Sequence, residues 1–457
     1  MNKKLLQLSL AFILAFTACT NSFAQLSTPE VESIYGGRIN CISAYAKNSD
    51  TSRVFISTES ANSIFYADVF SGTGTATFSA FTVMPGLNDA ANYGSAIQMI
   101  AADSASGYLF FIHQTGLLSS HPSSATVNTV SGGNTNALLV YRSYMFFIKN
   151  SNELHYGTIN TSGTYTESGF LSITAVTNPT IAINKSNRRI YVFGDGTAPT
   201  LYKSSTDYDA FTFATSFSSI SLATLSASLT WKAFGIGPDG KLFVGGASSG
   251  KSVANSTDDG ATWTTVNTGI TGTFGPNISC GGTSSSYTVY FASCYSPDMG
   301  ATWVNFGNSG LETHSNDGTN IVDPNKSTIV YLTSDQGVAA STNSGANIFE
   351  IDEGVEAVQV NDCDMNASKT NAWIASKSGI RKVYNYTTSP VWSNAMFPSG
   401  DGSPYYSADM NINDTSTAYV GNVRVYKTTN DGSTWNRVFT AEDAPYSFPG
   451  SSVVEAI

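Results

Sequence analysis

The chain has 457 residues, only 12% of them charged, with 22 Lys+Arg against 33 Asp+Glu and a formal charge of −11. Average globular domains carry about 25% charged residues, and an acidic chain so poor in cations offers no footprint for phosphate, which excludes nucleic acid as a partner. A hydrophobic content of 41% with 40 Gly excludes a disordered tail and points to a packed, turn-rich fold.

In chain order, Met1-Asn2-Lys3-Lys4 precedes an apolar run, Leu5 to Ala18, and the small-x-small stretch Ser22-Phe23-Ala24. This pattern predicts a signal peptide over 1–24 and an exported mature chain over 25–457, extracellular or at the cell surface. An alternative reads Phe16-Thr17-Ala18-Cys19 as a lipoprotein box with the lipid on Cys19. Beyond Gln25 no uncharged apolar stretch approaches the roughly 18 residues of a spanning helix, so no transmembrane segment is expected.

Loss of the leader removes two of the 22 Lys+Arg and none of the 33 acidic residues, moving the formal charge from −11 to −13. Cys41, Cys280, Cys294 and Cys363 remain. An even count in an exported chain permits disulfides. Cys280 and Cys294 bracket a predicted hairpin around Gly282-Thr283-Ser284-Ser285, so a cross-link between them is expected, with four buried thiols as the alternative. No pair has C-x-x-C spacing, and neither a metal nor another cofactor is expected.

A short strand centred on an aromatic recurs nine times: Val54-Phe55-Ile56, Leu109-Phe110-Phe111, Met145-Phe146-Phe147, Ile190-Tyr191-Val192, Leu242-Phe243-Val244, Val289-Tyr290-Phe291, Val330-Tyr331-Leu332, Ala372-Trp373-Ile374 and Ala418-Tyr419-Val420. The spacing averages about 45 residues, the period of a four-stranded propeller blade. The whole mature chain is therefore predicted to be all-β. A second signature, S-x-D-x-G-x-T-W, spans Ser256 to Trp263 and Ser296 to Trp303, and Thr428 to Trp435 matches it with two conservative changes.

These segments resemble the Asp-box, or bacterial neuraminidase repeat. The resemblance runs from Gly36-Gly37-Arg38-Ile39-Asn40 to Trp435 and points to exported propellers that include sialidases, xyloglucan-cleaving tandem propellers, sortilin-type receptors and photosystem assembly factors. It implies a β-propeller of about nine four-stranded units, either one ring of eight to ten blades or seven blades plus part of a second. It assigns a structural part to Asp258, Gly260, Trp263, Asp298, Gly300, Trp303, Gly432 and Trp435: the aspartate bonds turn amides, the glycine takes a positive φ, and the tryptophan packs between sheets.

Chemistry is sparser. His113, His121, His155 and His314 show no H-E-x-x-H spacing. A sialidase-like site needs three arginines, for which Arg38, Arg381 and Arg424 are the candidates, yet Arg38-Ile39-Asn40 departs from that family's Arg-Ile-Pro. A xyloglucanase-like site needs two carboxylates. The segment Val54 to Glu59 is similar to the start of that family's first propeller with Glu59 in place of its aspartate, and Gly400-Asp401-Gly402 is similar to its second site, which gives Glu59 as base and Asp401 as acid. Tyr405 and Tyr406, in a turn-like segment, are candidates with Arg38 for ligand contact. The residues favour a secreted module that binds glycans or proteins, with a glycoside hydrolase as the alternative.

Overall fold

The computed structural model describes residues 37–457 except 60–63, 73, 88–96, 98, 248–250, 268–269, 271–276, 292, 307–318, 335–336, 369, 399–403, 441, 444, 448–453 and 455–456. The expected leader over 1–24, with Cys19, and Asp401 lie outside the described residues. Every described regular element is a β-strand. The strands form nine sheets in which sequence neighbours pair antiparallel along a four-strand path, the first sheet carrying one additional short strand. These are nine propeller blades.

All nine aromatic strands are the second strands of their blades. Val54, Phe55 and Ile56 are fully buried, as are Leu109, Phe110 and Phe111, and Val289, Tyr290 and Phe291. Such a strand has a blade on each side, so both of its faces are apolar and it reads as an unbroken hydrophobic run. Burial falls off outward, and the fourth strand of blade two, Val127–Gly132, is polar and partly exposed.

The first seven blades close into a ring. Innermost strands of successive blades pack on one another, and the seventh blade, Asn320 to Glu350, returns onto Ile39–Ala46 of the first. The closing contact is a shared core of Ile39, Ile42, Val54 and Val69 with Ile329, Tyr331, Val338 and Val355. Thr319 Oγ1 accepts the Ile42 N–H at 2.9 Å, and the Asn325 amide donates to Asn48 O at 2.9 Å. Of the two architectures that the repeat count allowed, this is seven blades plus the start of a second body.

Blades eight (Val360 to Trp392) and nine (Ser407 to Thr440) pack on each other through Trp373, Ile380, Tyr405, Met410 and Val420. Asp362 and Asp364 accept backbone N–H groups of Ala408 and Met410 at 3.0 and 2.8 Å, fastening one innermost strand to the next. Val360, Met365, Val391, Ile412, Val438 and Phe439 of these two blades are exposed.

The S-x-D-x-G-x-T-W segments form one recurrent turn between third and fourth strands. In blade five Asp258 accepts from the Thr262 amide and hydroxyl at 2.8 and 2.6 Å, while Ser256 Oγ accepts the Gly260 N–H at 2.8 Å. Those bonds to the ionised form hold the Asp258 carboxyl down at about 2. Blade six repeats the pattern through Ser296, Asp298, Gly300 and Thr302. Gly260 and Gly300 sit at φ 89° and 90°, and a Cβ on Gly300 would stand 2.6 Å from the Phe243 ring of the preceding blade. Each turn thus locks a blade to its predecessor: Asp259 accepts from Tyr191 and Lys203 of blade four, and Met299 O accepts from Lys241 of blade five at 2.9 Å.

Trp303 is buried edge-on to Phe291 in the core between blades five and six. Trp263 is half-buried and donates its Nε1–H to Ser221 O at 3.1 Å. Trp303→Ala is therefore expected to cost about 3–5 kcal/mol, the range for emptying a large aromatic from a core, and Trp263→Ala distinctly less. Chemical denaturation of the two variants measures the order.

Candidate functional site

All seven blades of the ring meet at a central depression of about 800 Å³. Its lining comes from two places in the repeat: residues at the start of innermost strands and residues just after second strands. Chain geometry brings these positions together, because the N–H after a second strand bonds the carbonyl just ahead of the first. Glu59 donates to Arg38 O at 2.8 Å, Asn150 to Asn134 O at 3.0 Å, and Asp195 to Thr177 O at 2.9 Å.

The charges here are balanced. Arg38 and Lys232 are the cations, Glu59 and Asp195 the anions. Arg38 Nη1 lies 3.8 Å from Glu59 Oε1, with the side chains 27% and 43% exposed, a loose pair that contributes little to stability. Asp195 accepts from Asn178 Nδ2 at 2.9 Å. Most of the remaining polar lining is neutral: Asn40, Asn134, Asn136, Asn277, Thr135, Thr180 and Thr319, above an apolar base that includes Ile42, Ile100 and Ile112.

Three lining residues share a backbone origin. The pairing register slips between Ile39 and Cys41, between Thr135 and Ala137, and between Trp231 and Ala233. The extra residues are Asn40, Asn136 and Lys232, one at the head of the innermost strand in blades one, three and five. A bulge re-aims the side chain it carries, and such bulges concentrate beside functional sites.

Of the residues expected from the sequence, Arg38 and Glu59 are brought together here. Tyr405 is not available as a ligand contact: it is fully buried in the core between blades eight and nine, because the segment ahead of the ninth innermost strand turns inward with its N–H on Ser376 O at 3.1 Å. Tyr406 is half-buried beside it, away from the depression. The three arginines are not assembled. Arg381 is buried against Glu350 and Asp352, in a groove of about 1010 Å³ between blades one, seven and eight, and Arg424 pairs with Glu442 at 2.7 Å in blade nine. In that groove Arg381 engages Glu350 and Asp352, and burial pushes the Glu356 carboxyl up.

Asp195, Asn136 and Lys232 were missed. A signal for Asp195 was present, since it follows Tyr191 by four residues as Glu59 follows Phe55. The bulges have no comparable mark in the sequence.

The expected Cys280–Cys294 cross-link does not form, and both residues keep their thiols. Cys280 lies in the first strand of blade six opposite Val289, and Cys294 lies in the third strand opposite Phe291. An intervening strand separates them by two inter-strand spacings of about 4.8 Å, beyond the roughly 7 Å that a disulfide can bridge. Burial pushes the Cys41 thiol up to about 12 and the Cys280 thiol higher still. The native protein is therefore expected to resist alkylation at pH 8, whereas mapping after denaturation without reduction should recover Cys280 and Cys294 both alkylated.

No protein-family model matches the chain, and no curated protein matches it in sequence. Among solved structures it is similar to a GH74 enzyme of Niastella koreensis, with a TM-score of 0.57 at 17% identity over 90% of this chain and 67% of that one. An ancestral GH74 enzyme aligns at a TM-score of 0.45 and 10% identity, over 91% and 71% of the two chains. The extracellular domain of a hybrid two-component system of B. thetaiotaomicron aligns at 0.44 and 12%, over 86% and 51%. The first of these likenesses supports the propeller fold.

Proposed function

We propose that this protein is an exported propeller that binds extracellular glycans through the central face of its seven-bladed ring. The observation that carries this reading is the depression itself: about 800 Å³, reached by every blade of the ring, and lined by amides, hydroxyls, two cations and two anions. Such a lining both donates and accepts hydrogen bonds, which matches hydroxyl-rich ligands, and its volume lies within the usual range of ligand pockets. A net charge of −13 after leader removal disfavours strongly anionic partners.

A second reading, hydrolysis of a β-glucan-type polysaccharide, is favoured by the presence of Glu59 on that face. It requires Asp401 as the acid, about 6.5–9.5 Å from Glu59 in an inverting mechanism. One experiment separates the two. The purified protein is tested for retention and turnover of xyloglucan, other β-glucans and sialosides, with Glu59→Gln and Asp401→Asn in parallel. Retention of a polysaccharide without turnover is the expected result; turnover abolished by either substitution would replace binding with hydrolysis, and retention of none would remove the glycan reading in favour of a protein partner.

A further inference from the structure

Resting on the glycan-binding reading, we propose that the three bulged residues Asn40, Asn136 and Lys232, with Thr135, form a subsite over the ring axis for one uncharged sugar residue. The backbone argues first. An extra residue in an innermost strand leaves a ladder position unpaired, and the same irregularity at the same strand end in blades one, three and five places Asn40, Asn136 and Lys232 in one depression. The same slip recurs at Asn361 of blade eight, where the amide donates to Tyr405 O, so what marks Asn40, Asn136 and Lys232 is their convergence on one depression, while blades four and six make their innermost strands without a bulge.

The side chains argue independently. Asn40 and Thr135 are only 8% and 6% exposed, and Asn40 Nδ2 and Thr135 Oγ1 have no hydrogen-bond partner among the described residues. Folded proteins rarely leave buried polar atoms unmatched, and such atoms are a reason to look for a ligand. An amide N–H and a hydroxyl together ask for a group that accepts from one and either donates to or accepts from the other. A sugar hydroxyl does both.

Charge selects the class. Glu59 and Asp195 oppose a carboxylate or phosphate on the ligand, while Arg38 and Lys232 oppose an ammonium. A neutral ring meets neither penalty, and Ile42 and Ile100 offer its C–H face an apolar base. Lys232 is exposed, so its ammonium is placed to bond a ring hydroxyl from the rim.

Calorimetry on the full chain with cellohexaose, a xyloglucan oligosaccharide and a sialylated oligosaccharide tests the subsite. The wild type is expected to bind a neutral probe and not the sialylated one. Lys232→Met, at an exposed position, should weaken that binding roughly tenfold, the equivalent of one hydrogen bond to a charged group. Asn40→Leu, close in shape, should weaken it at least as much while leaving the melting temperature equal or higher, because it removes an unmatched buried amide. Trp392→Ala, in the groove of blades one, seven and eight, should leave affinity unchanged. Neutral binding by the wild type that both Lys232→Met and Asn40→Leu retain in full would overturn the subsite and leave the glycan reading standing. Absence of binding to any neutral probe would overturn both, and preference for the sialylated probe would overturn the choice of an uncharged sugar.

Discussion

Burial of the second strand of each ring blade on both faces is the constraint from which the rest of the structure follows. A strand such as Val54-Phe55-Ile56 cannot be satisfied within its own sheet. It needs an apolar neighbour on either side, and for seven successive sheets that need is met only when the last packs on the first. Ring closure by Ile39, Ile42 and Val54 against Ile329, Tyr331 and Val355 is thus the same interaction that joins every other pair of blades. The recurrent turns add orientation to this non-directional packing: Asp259 and Met299 reach back to basic and phenolic groups of the preceding blade and fix the angle at which each blade enters the ring.

Closure also makes the site. Innermost strands that begin on one side of the ring bring their first residues to a common axis, and in blades one, three and four the N–H after the second strand bonds the carbonyl just ahead of the first. The polar depression therefore exists because the ring is closed and the strands share a direction. The bulges at Asn40, Asn136 and Lys232 then decide which side chains look into it. Packing sets the place and strand irregularity sets the chemistry, so substitutions in the two classes have separable effects.

The fold was largely legible in the sequence because its determinants are local and repeated. A strand buried on both faces leaves an unbroken apolar triplet, and the turns leave an ordered S-x-D-x-G-x-T-W string. Blade number per ring was not legible, since every blade interface is built alike and nothing in the triplet marks where closure falls. The site was legible only in part. Arg38 and Glu59 both line the central depression, but Tyr405, which looked exposed in a segment rich in turn residues, is buried in the core of blades eight and nine with its N–H on Ser376 O. The cysteines failed for a topological reason: thirteen intervening residues suggested one hairpin, whereas the short strand Cys294–Ser296 belongs to a second. Asn136 and Lys232 depend on a register slip, a property of two strands at once that neither strand shows alone.

The central claim is that ligand recognition occurs on the axis of the seven-bladed ring. A crystal structure of the protein with a bound neutral oligosaccharide tests it most directly. A sugar ring is expected in the central depression, within hydrogen-bond distance of Asn40, Asn136 or Lys232. A sugar seated instead in the groove between Ala76–Val83, Phe349–Glu356 and Pro390–Asn394, with the depression holding none, would contradict it.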